Sequence, residues 1–141
     1  MSNRKTRAFV YPVKEQAAAI ERLKQLIKAA CDLVCDQVAA DPKQCLQDSD
    51  VLVVLICPET SNNPAVYELI LTASRTGKRV VGVWLPGTTN GKLPSAINKY
   101  ADATIVFEAN AVKAAVCGGQ AIWSTPDGGP RPKPKTPRHK G

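Results

Sequence analysis

Six consecutive apolar residues, Val51–Ile56 (VLVVLI), constrain the fold of this chain more than any other feature of its sequence. Four of the six are β-branched, and such a run is typical of a strand that is buried on both faces, as strands of parallel sheets are. Residues 79–85 (RVVGVWL) have the same character, and a helical pattern over residues 64–76 separates the two runs. The chain therefore predicts parallel strands that are connected by helices.

Shorter segments extend this alternation in both directions. Further strands are predicted within residues 8–11, 32–38 and 103–107, and further helices at residues 15–31, from 41 onward, at 94–100 and at 110–116. The order predicts an α/β fold, a flavodoxin-like doubly wound five-stranded parallel sheet with strand order 2-1-3-4-5. Ligands of such sheets bind outside the carboxyl ends of the strands, where the order reverses between strands 1 and 3. The loops at residues 11–14 and 57–64 are therefore the predicted site.

The charge of the chain is concentrated at its two ends. The 141 residues, 44% of them hydrophobic, suit one domain with a packed core, and the formal net charge is +7. Residues 8–124 hold 11 basic and 11 acidic residues, so the excess lies outside the body. We predict a basic N-terminal extension (1–6), an α/β domain (7–122) and a Pro-rich basic tail (123–141) that is disordered. The simpler expectation for residues 125–141 is a solvated extension. The alternative is a basic arm that binds nucleic acid or an acidic protein, and no other segment is expected to bind such a partner.

The five cysteines and the absence of an export signal predict reduced thiols in a cytoplasmic protein. No signal peptide and no membrane span are predicted, and hence no membrane partner. The cysteines have no zinc-site spacing, and the only histidine, His139, lies in the tail, so no metal is expected. Cys31, Cys35, Cys57 and Cys117 are interpreted as small buried hydrophobic residues.

The sequence contains few residues that suit catalysis. It has neither a Walker phosphate loop nor a G-x-G-x-x-G motif, and a histidine-based triad cannot be built. Glu68 remains, one turn into the second predicted long helix and at the edge of its apolar face, where a carboxylate can be partly desolvated. The simpler interpretation of Glu68 is a solvated helix residue. Polar or aromatic residues at the strand ends complete the predicted binding site: Tyr11, Thr60, Ser61, Asn62, Asn63 and Trp84. A core position is the simpler interpretation of Trp84.

One stretch of the chain carries a family resemblance. Its elements are the strand Val51–Ile56, Pro58-Glu59-Thr60-Ser61, Tyr67-Glu68-Leu69, Ala73, Gly77-Lys78 and the strand at 80–85. This pattern resembles the TIR-like (Toll/interleukin-1 receptor-like) domain family of small prokaryotic proteins, most clearly over residues 48–87 and more weakly over 7–117. The chain departs from the family at Asn63-Pro64, near which the family often has Trp, and in its first loop, which lacks Ser and Asp.

The resemblance implies a function. It makes Glu68 the catalytic residue of an enzyme that hydrolyses or cyclises NAD by cleaving the bond between nicotinamide and ribose. NAD is then the substrate, and no separate cofactor is implied. Antiphage defence or signalling, self-association into homo-oligomers and a separate regulator or effector protein are the expected context.

Two other functions remain open from the sequence. A nucleoside 2-deoxyribosyltransferase-like enzyme also has a flavodoxin-like sheet, and its catalytic Glu attacks the anomeric carbon. A non-catalytic scaffold that binds a nucleotide or self-assembles is the other alternative. The product formed from NAD or from a nucleoside distinguishes the three.

Overall fold

The computed structural model of the chain describes residues 6–35, 41–61, 63–85 and 95–124. The strands are β1 (Arg7–Val10), β2 (Asp32–Leu33), β3 (Val51–Ile56), β4 (Arg79–Trp84) and β5 (Ala103–Ile105). The helices are α1 (Ala17–Lys28), α2 (Pro42–Gln47), α3 (Pro58–Ser61), α4 (Pro64–Arg75), α5 (Ser95–Tyr100) and α6 (Ala109–Val112). A 3-10 turn at Lys14–Gln16 precedes α1, and a π-helical turn at Lys113–Cys117 follows α6. None of the described helices is both long enough and apolar enough to cross a membrane.

The strands form one parallel sheet in the order β2-β1-β3-β4-β5, which confirms the predicted α/β fold and strand order. β3 pairs with β4 along its whole length, from Val51 opposite Arg79 to Ile56 opposite Trp84. Every residue of β3 is buried, as its unbroken apolar sequence predicts. The chain reverses direction across the sheet between β1 and β3, so the carboxyl ends of these two strands flank the switch point.

Helices cover both faces of the sheet. On one face, α1 contributes Ile20, Leu23 and Ile27 to a core that α6 and the π-helical turn complete. On the other face, α2, α4 and α5 pack over a second cluster that includes Trp84. Two apolar layers with the sheet between them explain why the strands are apolar without alternation.

The ends of α4 are set by local chemistry. The side-chain oxygen of Asn63 accepts hydrogen bonds from the backbone N–H groups of Ala65 (2.9 Å) and Val66 (3.3 Å), which makes Asn63 the N-cap. Pro64 occupies the first turn, where its missing N–H costs nothing. Gly77 follows the helix with φ +76°, a conformation that favours glycine. The helix therefore begins and ends where the sequence predicts.

Other segments differ from the prediction. β2 comprises Asp32–Leu33, so residues 34 and 35 of the predicted strand lie beyond its end, and residues 36–38 lie outside the described residues. The segment predicted as a loop at 57–64 contains the one-turn helix α3. The predicted loop at 86–93 lies outside the described residues, as do residues 1–5 and 125–141. Trp123 and Ser124, placed in the tail by the sequence, pair with Thr104 of β5 instead: the Thr104 N–H donates to Ile122 and the Ser124 N–H donates to Thr104, both at 2.8 Å.

The expectation of reduced thiols is wrong for four of the five cysteines. Cys31 is bonded to Cys117, and Cys35 is bonded to Cys45, with Cα atoms 5.7 and 5.9 Å apart. Cys57 is buried and belongs to neither disulfide. The error has a physical origin, because the partners are brought together only by the packing of separate elements. Reduced thiols therefore no longer argue for a cytoplasmic location.

Candidate functional site

The segments that follow β1 and β3 meet at the switch point of the sheet. Tyr11 extends the pairing beyond β1, because its N–H donates to the carbonyl of Val53 at 3.0 Å. Its partly buried side chain packs against the apolar clusters on both faces. The chain then turns through Lys14–Gln16 into α1, while the chain leaving β3 turns directly into α3. These two turns flank the switch point, where this topology predicts a crevice for a ligand.

A network around one hydroxyl fixes the turn after β3. Thr60 is buried, and its Oγ1 lies 2.8 Å from the carbonyl oxygen of Leu55 and 3.0 Å from that of Cys57. The same oxygen accepts the Cys57 N–H at 3.2 Å. The sequence predicts that Thr60 contacts substrate. In the structure its hydroxyl instead forms hydrogen bonds with backbone groups of the turn that have no partner from strand pairing.

Cys57 lies in this network at the carboxyl end of β3. Its thiol is 3.7 Å from both the Leu55 carbonyl oxygen and the Thr60 hydroxyl. Burial raises the pKa of the Cys57 thiol above its ordinary value of 9.0, against the opposing effect of the Thr60 hydrogen bond. The thiol is therefore protonated at neutral pH, which does not suit a nucleophile.

A side-chain hydrogen bond crosses the switch point. Nε2 of Gln16, at the end of the turn after β1, donates to Oε1 of Glu59 in α3 at 3.1 Å. This bond is the main reason that the pKa of Glu59 is lowered, so the carboxylate is ionised at neutral pH. The site therefore contains a partly exposed, fixed negative charge between the two loops.

Glu68 lies on the first half of α4, the half nearer the carboxyl edge of the sheet. Its neighbours Leu69 and Ile70 are buried, but the Glu68 side chain is exposed instead of partly desolvated. Its backbone carbonyl accepts the Thr72 hydroxyl at 2.9 Å. The carboxylate is thus accessible to a ligand, and the catalytic role implied by the family resemblance stays a prediction.

The other predicted binding residues are dispersed. Asn63 caps α4, and Ser61 is the last residue of α3, whereas Asn62 lies outside the described residues. Trp84 is 1% exposed, and its indole N–H donates to the Ser124 carbonyl at 2.8 Å. The structure therefore brings the loops after β1 and β3 together but covers the Trp84 ring, so contact with a ligand would require the covering residues to move.

Gln16 and Glu59 are the site residues that sequence reasoning missed. Glu59 belongs to the Pro58–Ser61 segment already singled out at the end of β3, and a charged residue in that position was an available signal. Gln16 had no such signal, because it falls where a helix was predicted and only its contact with Glu59 places it in the site.

Comparison with known proteins supports the family resemblance. Residues 36–90 match the family model described as Thoeris protein ThsB, TIR-like domain. This stretch contains β3, α3, α4 and β4, and with them Glu59 and Glu68. The predicted resemblance to TIR-like domains is therefore confirmed over this segment. A search of curated proteins found no match.

Two solved structures are similar to the chain. The structure of Clostridium botulinum CMP N-glycosidase, BcmB, has 15% sequence identity and a TM-score of 0.50, with 77% of this chain and 95% of that chain covered. A conserved protein from Enterococcus faecalis V583 has 23% identity and a TM-score of 0.41, with 59% of this chain and 65% of that chain covered. The first comparison agrees with the flavodoxin-like fold.

Proposed function

We propose that the chain cleaves the N-glycosidic bond of a nucleotide, that NAD is the substrate, and that Glu68 is the catalytic carboxylate. The observation that carries this proposal is the position of Glu68 within the stretch that matches a TIR-like domain. Glu68 is exposed on the first half of α4, near the carboxyl edge of the sheet, where folds of this topology bind ligands. The context of the matched family makes defence against phage the proposed role.

The chemistry requires little more than a positioned carboxylate. The bond between C1′ of the ribose and the pyridine nitrogen breaks, and its electron pair leaves with nicotinamide, which becomes neutral. The ribose then has oxocarbenium character, and a nearby carboxylate stabilises the positive charge. Water adds to C1′ and releases a proton to give ADP-ribose, or a nucleophile within the ADP-ribosyl group closes a ring.

A second substrate class is favoured by one structural neighbour. The Clostridium botulinum protein is described as a CMP N-glycosidase, and in CMP the same class of bond joins cytosine to ribose. A pyrimidine nucleotide is therefore the second candidate substrate. For a nucleoside deoxyribosyltransferase, Glu68 would instead form a covalent bond to C1′ and transfer the sugar to another base.

The test compares two substitutions at equivalent helix positions. Glu68→Gln removes the charge of the fifth residue of α4, and Glu21→Gln does the same at the fifth residue of α1. Both side chains are exposed, and the helices lie on opposite faces of the sheet. Glu68→Gln is expected to lower product formation by at least about 100-fold, the usual contribution of a catalytic carboxylate, whereas Glu21→Gln retains it.

Each variant and the wild type are incubated with NAD, with CMP, and with deoxycytidine plus adenine as the acceptor base, and the products are separated by chromatography. Free nicotinamide supports NAD cleavage, free cytosine supports the CMP alternative, and a new nucleoside formed with a second base supports the transferase. If Glu68→Gln retains full activity, the assignment of Glu68 is wrong. If the wild type releases no base at any protein concentration, the scaffold alternative is favoured.

The remaining expectations concern partners. We propose that the domain self-associates and that a separate protein regulates it or responds to its product. Nucleic acid is proposed only as a partner of residues 125–141, whose net charge is +4.

A further inference from the structure

The hydrogen bond between Gln16 and Glu59 joins the two turns at the switch point of the sheet. The donor belongs to the turn after β1 and the acceptor to the turn after β3, 43 residues away in sequence. β1 and β3 are adjacent strands, and their carboxyl ends flank the switch point. The bond therefore fixes a carboxylate at the place in the fold where the topology predicts a ligand.

Several features make Glu59 suitable for contact with a ligand. Its side chain is partly exposed, in contrast to Thr60, the next residue in the same turn. The Gln16 amide donates to one carboxylate oxygen, and the Cys57 thiol and the backbone N–H of Glu59 also hydrogen-bond the carboxylate. An ionised carboxylate has about four acceptor positions for these donors and for a ligand. Glu59 and Thr60 are neighbours in the four-residue helix α3. The hydrogen bonds from Thr60 to the end of β3 therefore also fix the backbone that bears Glu59.

The charge of Glu59 limits the part of a nucleotide that it can bind. A carboxylate accepts hydrogen bonds but donates none, and it repels phosphate. The 2′ and 3′ hydroxyls of a ribose are two adjacent donors, which suit a carboxylate with two oxygens.

We propose that Glu59 is a substrate-binding residue that accepts hydrogen bonds from the ribose hydroxyls of the nucleotide, and that Gln16 is its positioning residue. This inference rests on the proposed function, because it assumes that a nucleotide occupies the switch-point crevice. It adds the requirement that the sugar is ribose. Glu59 and Glu68 then have different roles: Glu59 recognises the sugar and Glu68 acts at the bond that breaks.

The test uses ligands that differ by one hydroxyl, NAD and its analogue without the 2′-hydroxyl on the nicotinamide ribose. Binding is measured in the Glu68→Gln background, so that turnover does not affect the result. Adding Glu59→Gln is expected to weaken NAD binding about 10- to 100-fold, the usual effect of losing a hydrogen bond to a charged group. Binding of the deoxy analogue is expected to weaken only about 3- to 10-fold, because the analogue keeps the 3′-hydroxyl and lacks the 2′-hydroxyl that Glu59 would recognise.

Matched variants separate recognition from structural damage. Glu21→Gln removes an exposed negative charge on α1, outside the two turns at the switch point, and is expected to leave the affinity for both ligands unchanged. Gln16→Leu is expected to weaken NAD binding in the same direction as Glu59→Gln but less, because the carboxylate stays and only its positioning is lost. A Glu59→Asp variant is expected to recover part of the preference for NAD over the analogue.

Equal weakening of both ligands by Glu59→Gln would show a structural role and overturn the inference, as would unchanged NAD affinity. Failure of the wild type to bind NAD would overturn it too. Failure of the proposed reaction looks different. In that case no base is released by the wild type, while the preference for NAD over its deoxy analogue still depends on Glu59.

Discussion

At the scale of single residues, Thr60 shows how the turn after β3 is held. Its hydroxyl is 2% exposed and lies within hydrogen-bond distance of two carbonyl oxygens and one N–H group. Thr60 is a polar residue in the predicted loop at 57–64, and from the sequence alone a contact with a ligand is expected. The structure uses the hydroxyl internally, because the backbone of a buried turn needs partners that no strand supplies.

We expect Thr60→Val to destabilise the protein. Valine has nearly the same shape but no hydroxyl, so the Cys57 N–H loses its acceptor. The carbonyl oxygens of Leu55 and Cys57 lose the single hydroxyl proton that they share, although the Cys57 carbonyl keeps the N–H of residue 60. The free energy of unfolding, measured by denaturant titration, should fall by about 1–3 kcal/mol. Thr72→Val is the control, because the Thr72 hydroxyl bonds back to the Glu68 carbonyl on the solvent side of α4. Equal effects of the two substitutions would contradict the role given to Thr60.

At the scale of elements, the two disulfides hold the short edge strand β2. Cys31 immediately precedes β2 and is bonded to Cys117 at the end of the π-helical turn on one face of the sheet. Cys35 follows β2 by two residues and is bonded to Cys45 in α2 on the other face. A strand of two residues forms few hydrogen bonds with its neighbour. The two disulfides therefore hold β2 in place where strand pairing alone is weak.

The two disulfides should differ in their contribution to stability. The chain-entropy relation gives about 4.5 kcal/mol for the Cys31–Cys117 bond and about 2.7 kcal/mol for the Cys35–Cys45 bond, because their sequence separations are 86 and 10. Under oxidising conditions, Cys31→Ser is therefore expected to lower the melting temperature more than Cys35→Ser. A thiol reductant should produce both losses in the wild type.

Mass spectrometry of the unreduced protein provides a separate check of the pairing. Proteolytic peptides that contain Cys31 and Cys117 should remain linked, and alkylation of the denatured, unreduced chain should label Cys57 alone. Labelling of all five cysteines would show that the disulfides are not formed.

At the scale of the whole molecule, the segment after the last helix completes the sheet. Trp123 pairs in parallel with Thr104, and the Ser124 carbonyl accepts the indole N–H of Trp84. Because this segment runs parallel to β5, the chain at Ser124 heads toward the carboxyl edge of the sheet, the edge where the candidate site lies. A boundary at residue 122, as drawn from composition, would separate these contacts from the domain.

Two truncations test this boundary. A chain that ends at Ser124 should unfold with a free energy within about 0.5 kcal/mol of the full chain, because the contacts to β5 remain. A chain that ends at Gly119 should lose at least about 2 kcal/mol, because Thr104 and Trp84 lose their hydrogen-bond partners. The fluorescence of Trp84 should also shift to longer wavelength as its ring becomes exposed. Equal stability of the two truncated chains would show that residues 120–124 do not stabilise the fold.

The sequence by itself determined the layers of this protein. Unbroken apolar runs predict strands buried on both faces, and helices between them require parallel pairing, so the sheet order follows from local pattern and connection rules. The same reasoning predicted the α4 boundaries and placed the site at the carboxyl ends of β1 and β3, because caps and switch points depend on short segments and on topology.

Only the tertiary structure decided which side chains act together. The hydrogen bond from Gln16 to Glu59, the disulfides and the docking of Ser124 on Trp84 all join residues of separate segments, from 10 to 86 positions apart in sequence. Local pattern has no information on such pairs, because they depend on how separate elements are placed against one another. Exposure is decided in the same way: the packing of α4 leaves Glu68 in solvent, while the chain that returns along β5 covers Trp84.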